Sequence, residues 1–287
     1  MNETELLNQI KSLIGEDEIS DDCASFEFPD GKILVSSTDM LHETTDFPKG
    51  MTDFEIGWMS TAVTLSDIAS CGAKPIQILA AVGLDNPKRL YEIMRGACFC
   101  AEKYGAKVSG GDIDSHNELT IVTTGFGIVE KKNYLRRFGA SVGDAVCITK
   151  IPGRAQAALD GYEKYREFLI TPKPDVYEGQ KIAESGASCM MDVSDGLALS
   201  LYYIAETNNV GIELDLSSAE LPDVDSEKRL EYFLYGGGDF GLLFCKPQTS
   251  LSDLDIDFTV IGKIVEGSGV KLGSEKIEKR GYTHSFE

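Results

Sequence analysis

What the chain lacks narrows its chemistry first. It has no GxxxxGK[ST] phosphate loop, no GxGxxG run after a strand, and no HRD or DFG set, which excludes the common ways of holding a nucleotide's phosphates. No apolar run approaches the roughly 20 residues that span a bilayer; residues 76–84 are among the longest. The opening Met1-Asn2-Glu3-Thr4-Glu5 is acidic and lacks the basic and apolar regions of a secretory signal, so a soluble cytoplasmic protein is expected. The cysteines (Cys23, Cys71, Cys98, Cys100, Cys147, Cys189, Cys245) are odd in number and form no CxxC pair. They fit neither a disulfide framework nor a zinc site, and are expected to be reduced and mostly buried. His42, His116 and His284 have no metal-ligand spacing, and no serine has a triad context. Positive charge is also short. With 27 Lys and Arg against 47 Asp and Glu, the net charge of −20 repels nucleic acid and anionic membranes, and a polyanionic substrate binds only with its own cations.

The 287 residues carry 42% hydrophobic side chains and 29 glycines, enough for one large or two medium α/β domains. Residues 5–14 read as a short helix and 32–39 as a buried strand with a polar far end. Thr52-Asp53 caps a helix that runs to about Cys71, and Asn86-Pro87 opens another whose apolar face ends before Gly105. Residues 107–109 and 118–129 read as strands. After the basic stretch Arg136-Arg137-Phe138-Gly139-Ala140 the pattern starts again with a strand at 144–149, which places a domain boundary between residues 137 and 138. Helices at 154–168 and 176–184, a strand at 188–191, a helix after Asp195, and strands near 212–216, 242–245 and 258–264 complete the second domain. The polar segment 217–229 reads as a surface loop.

The informative residues are acidic ones beside glycine or at strand ends: Asp21-Asp22, Asp39, Asp67, Gly110-Gly111-Asp112, Asp192-Val193-Ser194-Asp195 and Gly236-Gly237-Gly238-Asp239. In both halves an apolar strand delivers Asp into what reads as a Ser/Thr/Gly-rich turn, at Ser37-Thr38-Asp39 and at 192–195. Singly, each has an ordinary reading: Asp195 a helix cap, Asp112 a turn, Asp67 a solvated helix face, Asp21-Asp22 a loop. Together they point to cations, because carboxylates brought together repel and lose solvation unless cations join them. Magnesium suits such a set, held by carboxylates and substrate phosphates in phosphoryl-transfer chemistry that needs no nucleophilic side chain.

The ordered set Asp21-Asp22-Cys23-Ala24, Ser37-Thr38-Asp39-Met40-Leu41, Ser66-Asp67-Ile68-Ala69-Ser70-Cys71-Gly72-Ala73-Lys74-Pro75, Gly110-Gly111-Asp112, Arg137-Phe138-Gly139-Ala140 and Met191-Asp192-Val193-Ser194-Asp195-Gly196-Leu197 resembles the thiamine-monophosphate kinase family of the aminoimidazole-ribonucleotide synthetase-like ATP-binding superfamily. The resemblance spans nearly the whole chain. It implies a two-domain α/β fold with mixed sheets, residues 1–137 binding ATP and magnesium and pairing with a second copy through a shared sheet, and residues 138–287 forming the C-terminal domain. It implies transfer of the γ-phosphoryl of ATP to thiamine monophosphate with several magnesium ions and no phosphoenzyme. Asp22, Ser37, Thr38, Asp39, Asp67, Asp112, Asp192 and Asp195 are then expected as metal ligands, with Asp39, Asp192 and Asp195 central to catalysis. Gly111, Asp112, Arg137 and Ser194 are expected to contact ATP, and Asp46, Gly238 and Tyr282 the acceptor. Two departures stand out: Asp46 occupies a position where the family commonly has histidine, and Gly238 and Gly241 stand where it usually has glutamate. A purine-pathway cyclising synthetase and a non-catalytic nucleotide-binding paralogue are the competing readings.

Overall fold

The structure, a computed structural model, describes residues 3–15 and 21–284, so the first two residues and the last three, on which readings of the termini rest, lie outside it. The first half runs α1 (Glu3–Ile14), β1 (Ala24–Glu27), β2 (Lys32–His42), α2 (Asp53–Ser70), β3 (Lys74–Leu84), α3 (Leu90–Lys103), β4 (Lys107–Ser115) and β5 (Thr120–Glu130). Its strands form one mixed sheet in the order β1-β2-β5-β3-β4. The second half runs β6 (Asp144–Ile148), α4 (Arg154–Leu159), α5 (Arg166–Ile170), α6 (Val176–Glu184), β7 (Cys189–Val193), α7 (Leu197–Asn208), β8 (Gly211–Leu214), α8 (Arg229–Tyr235), β9 (Gly241–Pro247), β10 (Thr259–Val265), β11 (Gly269–Leu272) and β12 (Glu275–Lys276). These strands form a second mixed sheet in the order β12-β11-β8-β10-β6-β9-β7. The mixed α/β class expected from the sequence is the observed one. Among the described residues no helix is long and apolar enough to cross a membrane.

Helix α2 explains how the two sheets meet. Thr52 and Glu55 close a reciprocal capping box at its start, and from Ile56 to Ser70 every residue except Asp67 is buried. A helix buried this far around its axis is packed on all sides. One flank of α2 faces β2 and β5; the other faces α6 and β7 of the second half. On a third side α3 crosses so closely that a Cβ on Gly57 would lie 1.8 Å from the Ile93 carbonyl oxygen, so the crossing requires glycine there. The second sheet is buried on both faces: Val146, Met191 and Val193 pack with α7, whereas Ala145, Cys147 and Met190 pack with α6 and the Trp58 and Leu65 side chains of α2. The five-stranded sheet has one face against α2. Its other face, with Phe26 and Met40 exposed, is open in the single chain.

Several local expectations need correction. Residues 154–168 do not form one helix; α4 stops at Leu159, and Gly161 at φ 94° turns the chain before α5. Asp39 is not in a turn, because β2 continues through it to His42, paired residue for residue with β5. Gly110-Gly111-Asp112 is not a turn either but lies within β4. Asp195 does not cap α7: Gly196 occupies that position and makes no side-chain cap. Strand β3 and helix α8 fall where no element was expected.

Candidate active site

Strand alternation and helical spacing bring five acidic residues to the seam between the halves. On β2, odd-numbered side chains face α2, where Ser37 Oγ donates to Asp67 Oδ2 at 2.5 Å and Asp39 Oδ2 accepts from Thr64 Oγ1 at 2.5 Å. Thr64 and Asp67, three residues apart, share one face of α2. On β7, even-numbered side chains point the same way, and Asp192 Oδ2 accepts from Ser66 Oγ at 2.7 Å. Asp22 enters from the segment before β1, held by the Arg137 guanidinium, while its neighbour Asp21 takes Arg136 Nε at 2.6 Å. Carboxylate oxygens of Asp22, Asp67 and Asp192 come within 4.8 Å of one another. Asp195 lies close enough for its charge to act on Asp192.

The electrostatics follow from burial and crowding. Burial, then the Asp22 charge, pushes the Asp192 carboxyl up to about 8. Burial raises Asp67 well above the ordinary carboxylate range, with the charges of Asp39, Asp192 and Asp22 adding to it. Asp39 is raised by burial and partly relieved by Thr64. The second oxygen of Asp22 is buried and has no hydrogen-bond partner among the described residues. Buried carboxylate oxygens in native proteins are normally satisfied. An orphaned one beside two more acids fits a hard divalent cation, whose preferred ligands are carboxylate oxygens.

Beside the cluster lies a cleft of about 420 Å³ that both halves build. Asp39, Ser194 and Asp195 form its acidic end; Phe47, Met59, Val63, Leu159 and Phe240 give it an apolar wall. Tyr282 and His284 stand at the cleft, their rings edge-to-face at 5.1 Å. The Tyr282 amide donates to the Asp195 carbonyl at 2.9 Å, which fixes this C-terminal segment across the start of α7. Asp46, Gly238 and Tyr282 all line the cleft. The Asp46 carboxylate is also used locally, accepting from the His42 amide at 2.7 Å and the Thr45 hydroxyl at 2.8 Å.

Not every expected residue joins the site. Thr38 points to the open face of the sheet, where its hydroxyl meets Thr124 at 3.0 Å, so only its backbone is near the acids. Gly111 and Asp112 are exposed on the edge strand β4. Asp112 shares a row with Ala81, Val122 and Met40, three strand spacings or roughly 14 Å from β2. Within one chain Asp112 does not reach the cluster. Arg137 is engaged with Asp22 and lies over the Tyr203 ring at 5.2 Å. Conversely, Thr64, Ser66 and His284 belong to the site and were not singled out from the sequence as site residues. The signal available for the first two was a polar stripe beside Asp67 on an otherwise apolar helix.

This arrangement, two α/β halves that share an acid-lined cleft, is that of an AIR synthase related protein: the N-terminal domain model of that family matches residues 20–129 and the C-terminal one residues 152–274. The relatives narrow it. The chain is 48% identical over its whole length, and over all of the relative, to the thiamine-monophosphate kinase of Methanospirillum hungatei. It is 38% identical to that of Archaeoglobus fulgidus, covering 99% of this chain and 98% of the relative. The solved structure of AaThiL complexed with AMPPCP and TMP superposes with a TM-score of 0.92 at 26% identity, covering 99% and 97% of the two chains. The chain belongs to the thiamine-monophosphate kinase family, a family of enzymes, within the AIR synthase related proteins.

Proposed function

We propose that the chain transfers the γ-phosphoryl group of ATP to the phosphate of thiamine monophosphate, giving thiamine diphosphate and ADP. The observation that carries the reading is the partly buried Asp22, Asp67 and Asp192 cluster at the acidic end of a cleft whose other end is apolar and aromatic. The relatives' names and the AMPPCP and TMP complex support the two substrates.

In this reading an acceptor phosphate oxygen attacks the γ-phosphorus in line and the bond to the bridging oxygen of ADP breaks, with no covalent enzyme intermediate. The chain's own work is positioning. Asp22, Asp67 and Asp192, with Asp39 and Asp195 beside them, would hold divalent cations, magnesium being the natural one, which when bound offset the charge of the approaching phosphates. Ser37, Thr64 and Ser66 fix the carboxylates by donating to them, and Arg137 holds Asp22. The apolar wall and the Tyr282 ring receive the acceptor's heterocycles, and a cationic ring stacks favourably on an aromatic face. Asp46 puts a carboxylate on the same cleft for that cation.

Two chains pairing through the open face of the five-stranded sheet would cover Phe26 and Met40 and the half-buried Leu34, Val122, Phe126 and Ile128. A cytoplasmic setting accords with both proposed substrates. One assay tests the function: ADP release from ATP with magnesium, with and without thiamine monophosphate, and chromatography for thiamine diphosphate. Product that needs both substrates and vanishes with chelator is the expected result. Binding of ATP without turnover would instead favour a non-catalytic paralogue, to which the bare Gly238 and Gly241 would be the structural clue.

A further inference from the structure

Asp239 does not line the cleft and is only 5% exposed, yet it ties the cleft's walls together. Its Oδ2 accepts from the Gly153 amide at 2.6 Å and its Oδ1 from the Arg154 and Ala155 amides at 3.0 and 3.1 Å, where α4 begins. An ordinary helix cap needs neither a charge nor burial, since Ser, Thr or Asn serve at a surface. Its two neighbours are fixed elsewhere. Gly238, at φ 86°, donates its amide to the Ser194 carbonyl at 2.7 Å. Phe240 holds φ at 49°, a region that bulky residues rarely occupy, and its ring packs with Phe47, Ile56 and Met59 of the first half. Three consecutive residues are thus anchored to three different elements. Those elements supply three sides of the cleft: Ser194 and Asp195, Gln156 and Leu159 of α4, and Phe47 and Met59.

We propose that Asp239 is a positioning residue for the phosphoryl acceptor: by clamping the start of α4 to the 238–240 strap, it sets the cleft width between the α4 wall and the Asp195 side without touching either substrate. The proposal rests on the kinase reading above. Asp239→Asn is the test, because it keeps size and one acceptor oxygen but sets an NH2 group against one of the backbone donors. The expected result is a KM for thiamine monophosphate raised about tenfold or more, as for loss of a charged, buried hydrogen bond, with the KM for ATP within about twofold of wild type. Unchanged KM values, or equal rises in both, overturn the proposal even if the melting temperature falls, since a merely structural cap would act that way. If Asp239→Asn does not fold, Asp239→Glu, which keeps the charge but displaces it by one methylene, is read by the same two KM values. If wild-type protein does not turn over thiamine monophosphate, the kinase reading fails on its own, and amide exchange of the variant decides the clamp. Faster exchange in residues 153–159 and 236–240 together supports it, and any other pattern overturns it.

Discussion

Asp67→Asn should make the metal-free protein more stable and the metal-bound protein inactive. The Asp67 carboxylate lies within 4.8 Å of those of Asp22 and Asp192, so each charged pair repels by about 3.5 kcal/mol at an effective dielectric of about 20. Proton uptake relieves much of this in wild type, as the raised pKa values of Asp67 and Asp192 express. Asparagine keeps an oxygen for the Ser37 hydroxyl and removes the charge. A net gain of about 1–3 kcal/mol remains, roughly 2–10 °C in melting temperature for a chain of this size. Divalent cations reverse the order. A ligand that binds only the folded state stabilises by about 2.7 kcal/mol at a hundredfold excess over its Kd, and the variant forfeits most of that. The assay is thermal unfolding at pH 8 in chelator and in millimolar magnesium, for both proteins. A variant that melts below wild type in chelator, or that gains as much from magnesium, would refute the reasoning.

Three further outcomes follow from the same geometry. Because Asp67 and Asp192 have folded-state pKa values raised above their unfolded ones, the folded chain binds more protons; its metal-free stability should be greatest in mild acid and fall as pH rises above the ordinary carboxylate range, the Asp192 contribution by about 1.4 kcal/mol per pH unit until about 8. Melting curves in chelator across that range check the sign, and a rise in stability would contradict it. Asp39→Asn should keep the fold, since Thr64 can still donate to the amide oxygen, and lower turnover by at least about a hundredfold; wild-type turnover would remove Asp39 from the site. Gly57→Val should cost about 3 kcal/mol or more by forcing α2 and α3 apart, whereas a denaturation midpoint close to wild type would mean that the crossing is not rigid.

Particular elements show why some features were legible in the sequence. The Thr52 cap and the apolar run behind it announce α2, and Val176–Glu184 appears with the bounds that its periodicity indicates. Helix caps and amphipathic spacing act within a few residues, so one segment carries the whole signal. Misread segments depended on distant partners. Ser37-Thr38-Asp39, the polar end of the expected strand 32–39, also reads as a turn but stays in β2, because Thr64 on α2 and the complete pairing with β5 satisfy its polar groups. Residues 110–112 have the composition of a turn, yet they lie within β4, where Gly111 and Asp112 pair with Ala80 and Ala81 of β3.

The sequence by itself determined the mixed α/β class, the family resemblance and the acidic residue types available for a site, since these are carried by composition, short-range pattern and ordered motifs. Only the tertiary structure decided which acids meet. Asp22, Asp67 and Asp192 lie far apart in the chain, and their convergence depends on a buried helix held between two sheets whose strand alternation aims every second side chain inward. The same alternation turns the Thr38 hydroxyl away and leaves Asp112 on a far edge, although both stand in motifs as clear as the others. Sequence order says which groups are available; packing and the two-residue period of the strands select those that share a site.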